Sequence, residues 1–325
     1  MRKLMSAYFL ALDIGGTKTS GALFTENCEL VDDYVYTAPS QTFKGEEAVY
    51  QNTKNVLETV LEHFSLSVND VRGIGVGSPG PLDSKRGIII HAPLMGWKNF
   101  PIVARLKNDF HTDVLIDNDG NLGAFAEQRC GVAKGLQNVA YMTVSTGCGG
   151  GLVIGGKIHH GKHDGAGEVG HVSIDKNGLP CPCGSRGCFE LYASGSAMNR
   201  IMREDMRKGI RSRVFEFAEY AENAVNGKIL DRAAAENDEY ALSLFEKEGE
   251  LLGFGIAHIF NLFDPDVFVL GGGVTKSKRY FHEALMRTLR AHSIQPIDDD
   301  SVRYSIMNDR VVLFGACYMI REALG

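Results

Sequence analysis

Ala7-Tyr-Phe-Leu-Ala-Leu-Asp13-Ile-Gly15-Gly16-Thr17-Lys18 is an apolar run that ends in an aspartate, two glycines, a hydroxyl and a lysine. The run Ala7–Ile14 reads as a buried strand, and a second strand, Ser20–Phe24, follows at hairpin distance. A glycine loop after a buried strand exposes consecutive N–H groups in a concavity that suits phosphate oxygens. Thr17 and Lys18 add a hydroxyl and a cation, and Asp13 is placed to hold a magnesium ion through water. The same order recurs later: Val139–Val144, then Ser145-Thr146-Gly147-Cys-Gly-Gly-Gly151, then Leu152–Ile154. A third loop, Gly271-Gly272-Gly273, follows the apolar run Val267–Leu270. None of the three matches the dinucleotide fingerprint or the P-loop pattern. Each alone reads first as a tight structural turn. All three together, each at the carboxyl end of an apolar strand, point to a nucleotide polyphosphate and its adenosine.

Between these loops strands and helices alternate, which predicts an α/β fold with a mixed sheet. Glu46–Phe64 places Val49, Val56, Leu57, Val60, Leu61 and Phe64 on one helical face. Val71–Val76 is a buried strand, Ile102–Phe110 a short helix and Val114–Ile116 a short strand. Leu122–Cys130 is a helix closed by Gly131 in the position after the cap, where glycine is favoured. Met198–Leu262 is mostly helical, Asp264-Pro-Asp266 stops the last of these helices, and Val311–Ala323 is helical again. The division expected from this order is a smaller domain of residues 1–118 plus about 307–325, and a larger one of residues 119–306. No linker rich in proline, serine or charge separates them. Two similar hairpins, one per domain, are expected to face a cleft, with a hinge that closes on ligand.

Composition narrows the function classes. At 44% hydrophobic and 23% charged residues the chain is an ordinary globular sequence, which excludes a disordered one. The net charge of −6 argues against a nucleic-acid partner, which requires a basic face. No apolar run is long enough to span a membrane, and the N-terminal stretch lacks an export-type cleavage site. Seven cysteines in a chain of 325 residues disfavour a secreted disulfide framework, so a reducing cytoplasm is expected.

Three of those cysteines crowd into Cys181-Pro-Cys183-Gly-Ser-Arg-Gly-Cys188, with His171 ten residues before the first. Three thiolates and one imidazole suit a closed tetrahedral zinc site of the structural kind. Folding this loop around zinc would also pin Glu168, His171 and Glu190 as hydroxyl-binding groups, although either glutamate alone is an ordinary surface charge. Asn118-Asp119-Gly-Asn121 comes after a strand and opens a helix. Asp119 there serves either as a helix N-cap or as a general base that takes a proton from an attacking hydroxyl. Phosphoryl transfer needs little more than magnesium, donors around the γ-phosphate and one positioned carboxylate.

The stretch Gly147-Cys-Gly-Gly-Gly-Leu … Gly161 … Gly167-Glu-Val-Gly-His171 resembles the signature of the ROK family of bacterial sugar kinases and related repressors. Cys181-Pro-Cys-Gly-Ser-Arg-Gly-Cys188-Phe-Glu190 is similar to that family's zinc motif, and Asp13-Ile-Gly-Gly-Thr-Lys18 resembles its first phosphate loop. Gly77-Ser-Pro-Gly80-Pro-Leu-Asp83 resembles its sugar-side loop, Asn118-Asp119-Gly-Asn121 its catalytic segment and Val269-Leu-Gly-Gly-Gly-Val274 its adenosine loop. These matches run through nearly the whole chain in the family's order.

The resemblance implies two actin-like, ribonuclease-H-like ATPase domains with a cleft between them, a zinc-binding loop, and ATP-dependent phosphorylation of a hexose hydroxyl. Asp119 would be the general base, and Gly80, Asn118, Glu168, His171 and Glu190 would meet the sugar. Asp13, Gly15, Gly16, Thr17, Lys18, Thr146, Gly147, Gly272 and Gly273 would hold ATP and Mg2+. His171, Cys181, Cys183 and Cys188 would hold Zn2+. Relatives also suggest a homodimer. Where many members carry an asparagine, in Pro-Asn-x-Pro-Gly-Trp, this chain has Pro93 in Ala92-Pro93-Leu94-Met95-Gly96-Trp97, and proline has no amide to offer a sugar. Gly120 replaces the usual alanine after the catalytic aspartate, which loosens the helix start slightly. The family's repressors carry a winged helix-turn-helix before the first glycine loop. Here about a dozen residues precede Asp13, too few for such a domain. Glucose is the default acceptor; N-acetylmannosamine, N-acetylglucosamine and fructose are the alternatives.

Overall fold

The computed structural model describes residues 8–325, so Ala7, the expected start of the first strand, lies outside the described residues. In chain order the elements are β1 (Tyr8–Ile14), β2 (Lys18–Thr25), β3 (Leu30–Pro39), α1 (Glu46–His63), β4 (Val71–Ser78), β5 (Leu82–Asp83), β6 (Ile88–Ala92), β7 (Trp97–Phe100), α2 (Ile102–Phe110), β8 (Asp113–Asn118) and α3 (Asp119–Cys130). There follow β9 (Val139–Val144), β10 (Cys148–Ile154), β11 (Lys157–Ile158), α4 (Gly195–Arg207), α5 (Arg213–Phe217), α6 (Gly227–Ala235), α7 (Glu239–Phe263), β12 (Val267–Gly271), α8 (His282–His292), β13 (Val302–Tyr304) and α9 (Val311–Leu324). No helix among the described residues is long and apolar enough to cross a membrane.

The chain forms two compact units. The first takes the described residues up to Gly135 together with Gly151–Gly167 and Asp309–Gly325; the second takes Leu136–Gly150 and Glu168–Asn308. The expected boundary at 118/119 is therefore not where the chain divides. Helix α3 and the segment after β10 belong to the first unit because they pack there. A side chain at Gly315 of α9 would run into the Leu122 carbonyl of α3, and one at Gly151 would meet the Gly120 carbonyl 2.3 Å away.

In the first unit a five-stranded sheet has the order β3-β2-β1-β4-β8. β1 runs antiparallel to β2 and parallel to β4, which in turn is parallel to β8. A strand buried on both faces reads as a continuous apolar run, and β1 shows why. Leu10, Leu12 and Ile14 enter one core with Val49, Val56 and Val60 of α1 and Leu106 of α2, while Phe9 and Ala11 enter another with Leu313, Ala316 and Ile320 of α9. Helix α9 approaches β4 so closely that a Cβ on Gly75 would lie 2.0 Å from the Ala316 carbonyl oxygen. The expected return of the last helix to the first unit is thus a backbone-to-backbone contact. A small sheet, β5-β6-β7, branches from the end of β4.

In the second unit β12 lies parallel to both β9 and β13. The long helix α7 begins at an Asp238 N-cap, whose side chain accepts from the Ala241 N–H, and ends at Asp264 in the left-handed conformation. That places its stop at Asp264-Pro-Asp266, as the sequence indicates.

Candidate active site

Three neighbouring parallel strands of the first unit end together. Their register sets Asp13 beside Gly77, Gly77 beside Asp117, and Ser78 beside Asn118. In α/β sheets ligands bind outside the carboxyl ends of parallel strands, and this edge carries the first glycine loop, the Gly77–Gly80 loop and the Asn118-Asp119 segment. The Gly80-Pro81 peptide is cis. The first loop is closed by the Gly15 N–H, which donates to the Lys18 carbonyl at 2.9 Å. Thr17 and Lys18 are exposed, and the Lys18 ammonium meets Asp309 Oδ2 at 2.5 Å. Leu94, in the turn after Pro93, reaches over the loop, with its Cδ1 3.0 Å from where a Gly16 Cβ would stand.

The electrostatics of this edge are unusual. Burial pushes the Asp13 carboxyl up to about 7, and the nearby Asp119 charge adds to that, with Lys18 opposing and Asp309 reinforcing. Burial also raises Asp119, against the pull of the Gly120 and Asp119 backbone N–H groups. Two neighbouring carboxylates, both raised in proton affinity by burial, form a site for a cation or a proton. The N-cap of α3 is Asn118, not Asp119: the Asn118 Oδ1 accepts from the Gly120 N–H at 2.8 Å. Asp119 is the first helical residue and shares that same N–H, also at 2.8 Å. The capping role that competes with the base reading is therefore taken by its neighbour.

In the second unit, β9 and β12 end side by side, with Gly271 opposite Thr143. The Ser145 N–H donates to the Gly147 carbonyl at 2.9 Å, and the Gly195 N–H at the head of α4 donates to the Ser145 carbonyl at 2.8 Å. Gly272 has φ of 88°, and a Cβ there would lie 2.3 Å from the Val144 carbonyl oxygen. Only glycine fits. Beside Gly273 opens a cleft of about 580 Å³ lined by Gly195, Asn199, Asn226, Lys228, Phe245 and Lys276, among others. The Asn199 Oδ1 is buried without a hydrogen-bond partner. Sequence reasoning found the glycines of this cleft but not Asn199, Asn226 or Lys276. These come from two helix starts and a turn, and no local pattern links them.

The ligand atoms of His171, Cys181, Cys183 and Cys188 all lie within 4.8 Å of one another. The Cys183 and Cys188 sulfurs are 3.5 Å apart, and Cys181 Sγ is 3.8 Å from His171 Nδ1. Tetrahedral zinc with thiolates at about 2.3 Å implies sulfur separations of about 3.8 Å, so a Cys3His donor set fits this cluster. A tight turn presents the ligands: the Cys181 N–H donates to the Ser185 carbonyl and the Gly184 N–H to the Cys181 carbonyl. Glu190 Oε1 lies 3.5 Å from His171 Nδ1 and 3.9 Å from Cys181 Sγ. A Cβ on Gly147 would come 2.9 Å from Glu190 Oε2, so the glutamate backs onto the second glycine loop. Glu168 opens the turn that carries His171, whose N–H donates to the Glu168 carbonyl at 3.1 Å. The structure thus brings Thr146, Gly147, Gly272 and Gly273 together within the second unit, and separately clusters His171, Glu190 and the three thiols there.

A mixed α/β fold with an aspartate-rich strand edge and a Cys3His loop defines a class that comparison with known proteins resolves. The ROK family pattern matches residues 9–323, and this chain belongs to the ROK family. It is 31% identical to the glucokinase of Halalkalibacterium halodurans over 97% of this chain and 95% of that protein. It is 28% identical to the xylose repressor of Bacillus spizizenii, covering 88% of this chain and 68% of that one. The crystal structure of a ROK family glucokinase from Streptomyces griseus in complex with glucose and AMPPNP matches with a TM-score of 0.84 at 27% identity, covering 97% of this chain and 99% of that one. The fold is accordingly the actin-like ATPase fold.

Proposed function

We propose that this chain is an ATP-dependent sugar kinase that transfers the γ-phosphoryl group to a hexose hydroxyl, with Asp119 as general base. The observation that carries the reading is the state of Asp119, freed from helix capping by Asn118 and raised in proton affinity by burial. A base matched more closely to neutral pH takes a proton from an alcohol more readily than an ordinary carboxylate. Asn118, Gly80, Glu168, His171 and Glu190 bind and orient the sugar. Gly15, Gly16, Thr17, Lys18, Thr146 and Gly147 cradle the phosphates, and the cleft beside Gly272 and Gly273 takes the adenosine. Asp13 would hold magnesium, and the metal would supply charge neutralisation at the phosphates. His171, Cys181, Cys183 and Cys188 would hold zinc, which would fix the orientation of His171 and Glu190.

Similarity to full-length glucokinases supports glucose as the first acceptor to test. The absence of a side-chain amide at Pro93 favours testing N-acetylmannosamine, N-acetylglucosamine and fructose beside it. A second reading, sugar binding without transfer, is favoured by the similarity to xylose repressors. One assay separates them: a panel of sugars with ATP and coupled detection of ADP. Sugar-dependent ADP release supports the kinase. Sugar binding with no ADP from any member of the panel sinks it.

A further inference from the structure

Asp117 is a carboxylate only 2% exposed, lies two residues before Asp119, and has no part in the transfer chemistry above. Its Oδ1 accepts from the Asn118 N–H at 2.7 Å and from the Asn121 side-chain amide at 2.9 Å. Its Oδ2 meets His160 Nε2 at 2.6 Å. Asp117 thus grips the Asn118–Asp119 turn from both sides, at the backbone before it and at the first helical turn after it. A buried carboxylate is costly unless paired and hydrogen-bonded, and His160 supplies the pairing. His160 is itself tied down. Four residues on, Asp164 accepts from the Ser84 N–H at 2.8 Å and the Ser84 hydroxyl at 3.1 Å, and the Ala166 N–H donates to the His160 carbonyl at 3.2 Å.

We propose that His160 and Asp117 form a positioning pair, in which the imidazolium keeps Asp117 oriented and Asp117 fixes the Asn118–Asp119 turn so that the base addresses its acceptor. The catalytic consequence rests on the kinase reading; the effect on the turn does not. The charged groups that face His160 are Asp117, Asp164 and Lys85. The Asp117 hydrogen bond raises the proton affinity of the imidazole first, burial opposes it, the Asp117 and Asp164 charges add to it and Lys85 subtracts. A histidine raised in this way keeps its charge to higher pH than an ordinary imidazole, and the pair weakens as pH rises through the raised value. Protonation of Asp13 and Asp119 as pH falls is a separate effect.

The test compares wild type with H160Q, whose amide still donates but carries no charge. In H160Q kcat should fall roughly tenfold with the KM for ATP held within about twofold, as expected for misplaced chemistry rather than lost binding. Wild type should show an alkaline decline of kcat, and H160Q should lack it. Independently of activity, amide exchange at residues 118–121 of the sugar-free wild type should lose protection as pH rises through the His160 transition, and H160Q should show no such step. Wild-type kcat with the alkaline decline intact, or unchanged exchange, overturns the pair. If wild type releases no ADP with any sugar, the kinase reading fails and exchange alone judges the positioning. Should H160Q not fold, the imidazole signals of wild type decide: titration near the ordinary value of about 6.5 overturns the proposal.

Discussion

At the first unit's carboxyl edge three aspartates gather: Asp13 near the end of β1, Asp117 near the end of β8, and Asp119 at the start of α3. The corresponding edge of the second unit carries no carboxylate in Val144–Gly147 or Gly271–Val274 and offers hydroxyls, N–H groups and bare backbone instead. The two edges share an architecture and differ in chemistry. One concentrates charge whose protonation can change; the other fixes a shape that only glycine permits. A protein that moves a phosphoryl group needs both, because positioning and charge stabilisation are nearly all that such catalysis asks.

The largest expected effect tests the charged edge. Asp119→Asn removes the base but keeps the shape and the Gly120 contact, so kcat should fall about 10²- to 10⁴-fold while sugar still binds. Near-normal turnover would refute the assignment. Next comes the zinc loop. Cys183 is exposed, so serine there opens no cavity, and any loss reports the metal alone. Cys183→Ser should release zinc, weaken sugar binding and lower Tm by roughly 5–10 °C. Metal analysis that finds no zinc in the wild type would end that argument. On the shaped edge, Gly272→Ala forces a strained backbone and a clash with the Val144 carbonyl, at about 1–3 kcal/mol. The KM for ATP should rise about tenfold while sugar affinity stays unchanged. Equal losses for both ligands would show that the two edges are not specialised.

Local patterns account for much of this fold. The 3.6-residue spacing placed α1 and α2, and the unbroken apolar runs placed β1, β4, β9 and β12, because burial on both faces leaves no alternative. β3 escaped because Asp32 and Asp33 interrupt its pattern, both with positive φ. The β5-β6-β7 sheet escaped because its strands are two to five residues long amid proline and glycine. Gly131 is read from the sequence as a glycine favoured in the position after the cap, yet it is the C-cap itself, with φ of −98°. Its glycine answers crowding instead, since a Cβ there would lie 2.1 Å from Glu127 Oε2. The domain boundary was misjudged for a related reason: α3 packs on α9, nearly two hundred positions further along. The site follows the same rule. Its loops were legible as motifs, while the lining of the cleft beside Gly273 and the His160–Asp117 pair depend on distant segments meeting.

The smallest effect is the most direct probe of the charged edge, because it needs neither nucleotide nor sugar. Asp13 binds its proton up to about pH 7 in the folded chain, whereas an unfolded aspartate releases it near 4. Between those values the native state holds more protons than the unfolded one, so stability should decline as pH rises and level off above about 7. The slope attributable to this residue is at most about 1.4 kcal/mol per pH unit, and less with solvent screening. Denaturant unfolding of metal-free protein at pH 5 and pH 7 should show this decline in wild type and a flatter response in Asp13→Asn. Added magnesium should flatten the decline in wild type, because a cation beside Asp13 favours the ionised carboxylate that burial disfavours. A slope that survives in Asp13→Asn would mean that the edge carries no such stored charge, and the contrast between the two units would reduce to glycine geometry alone.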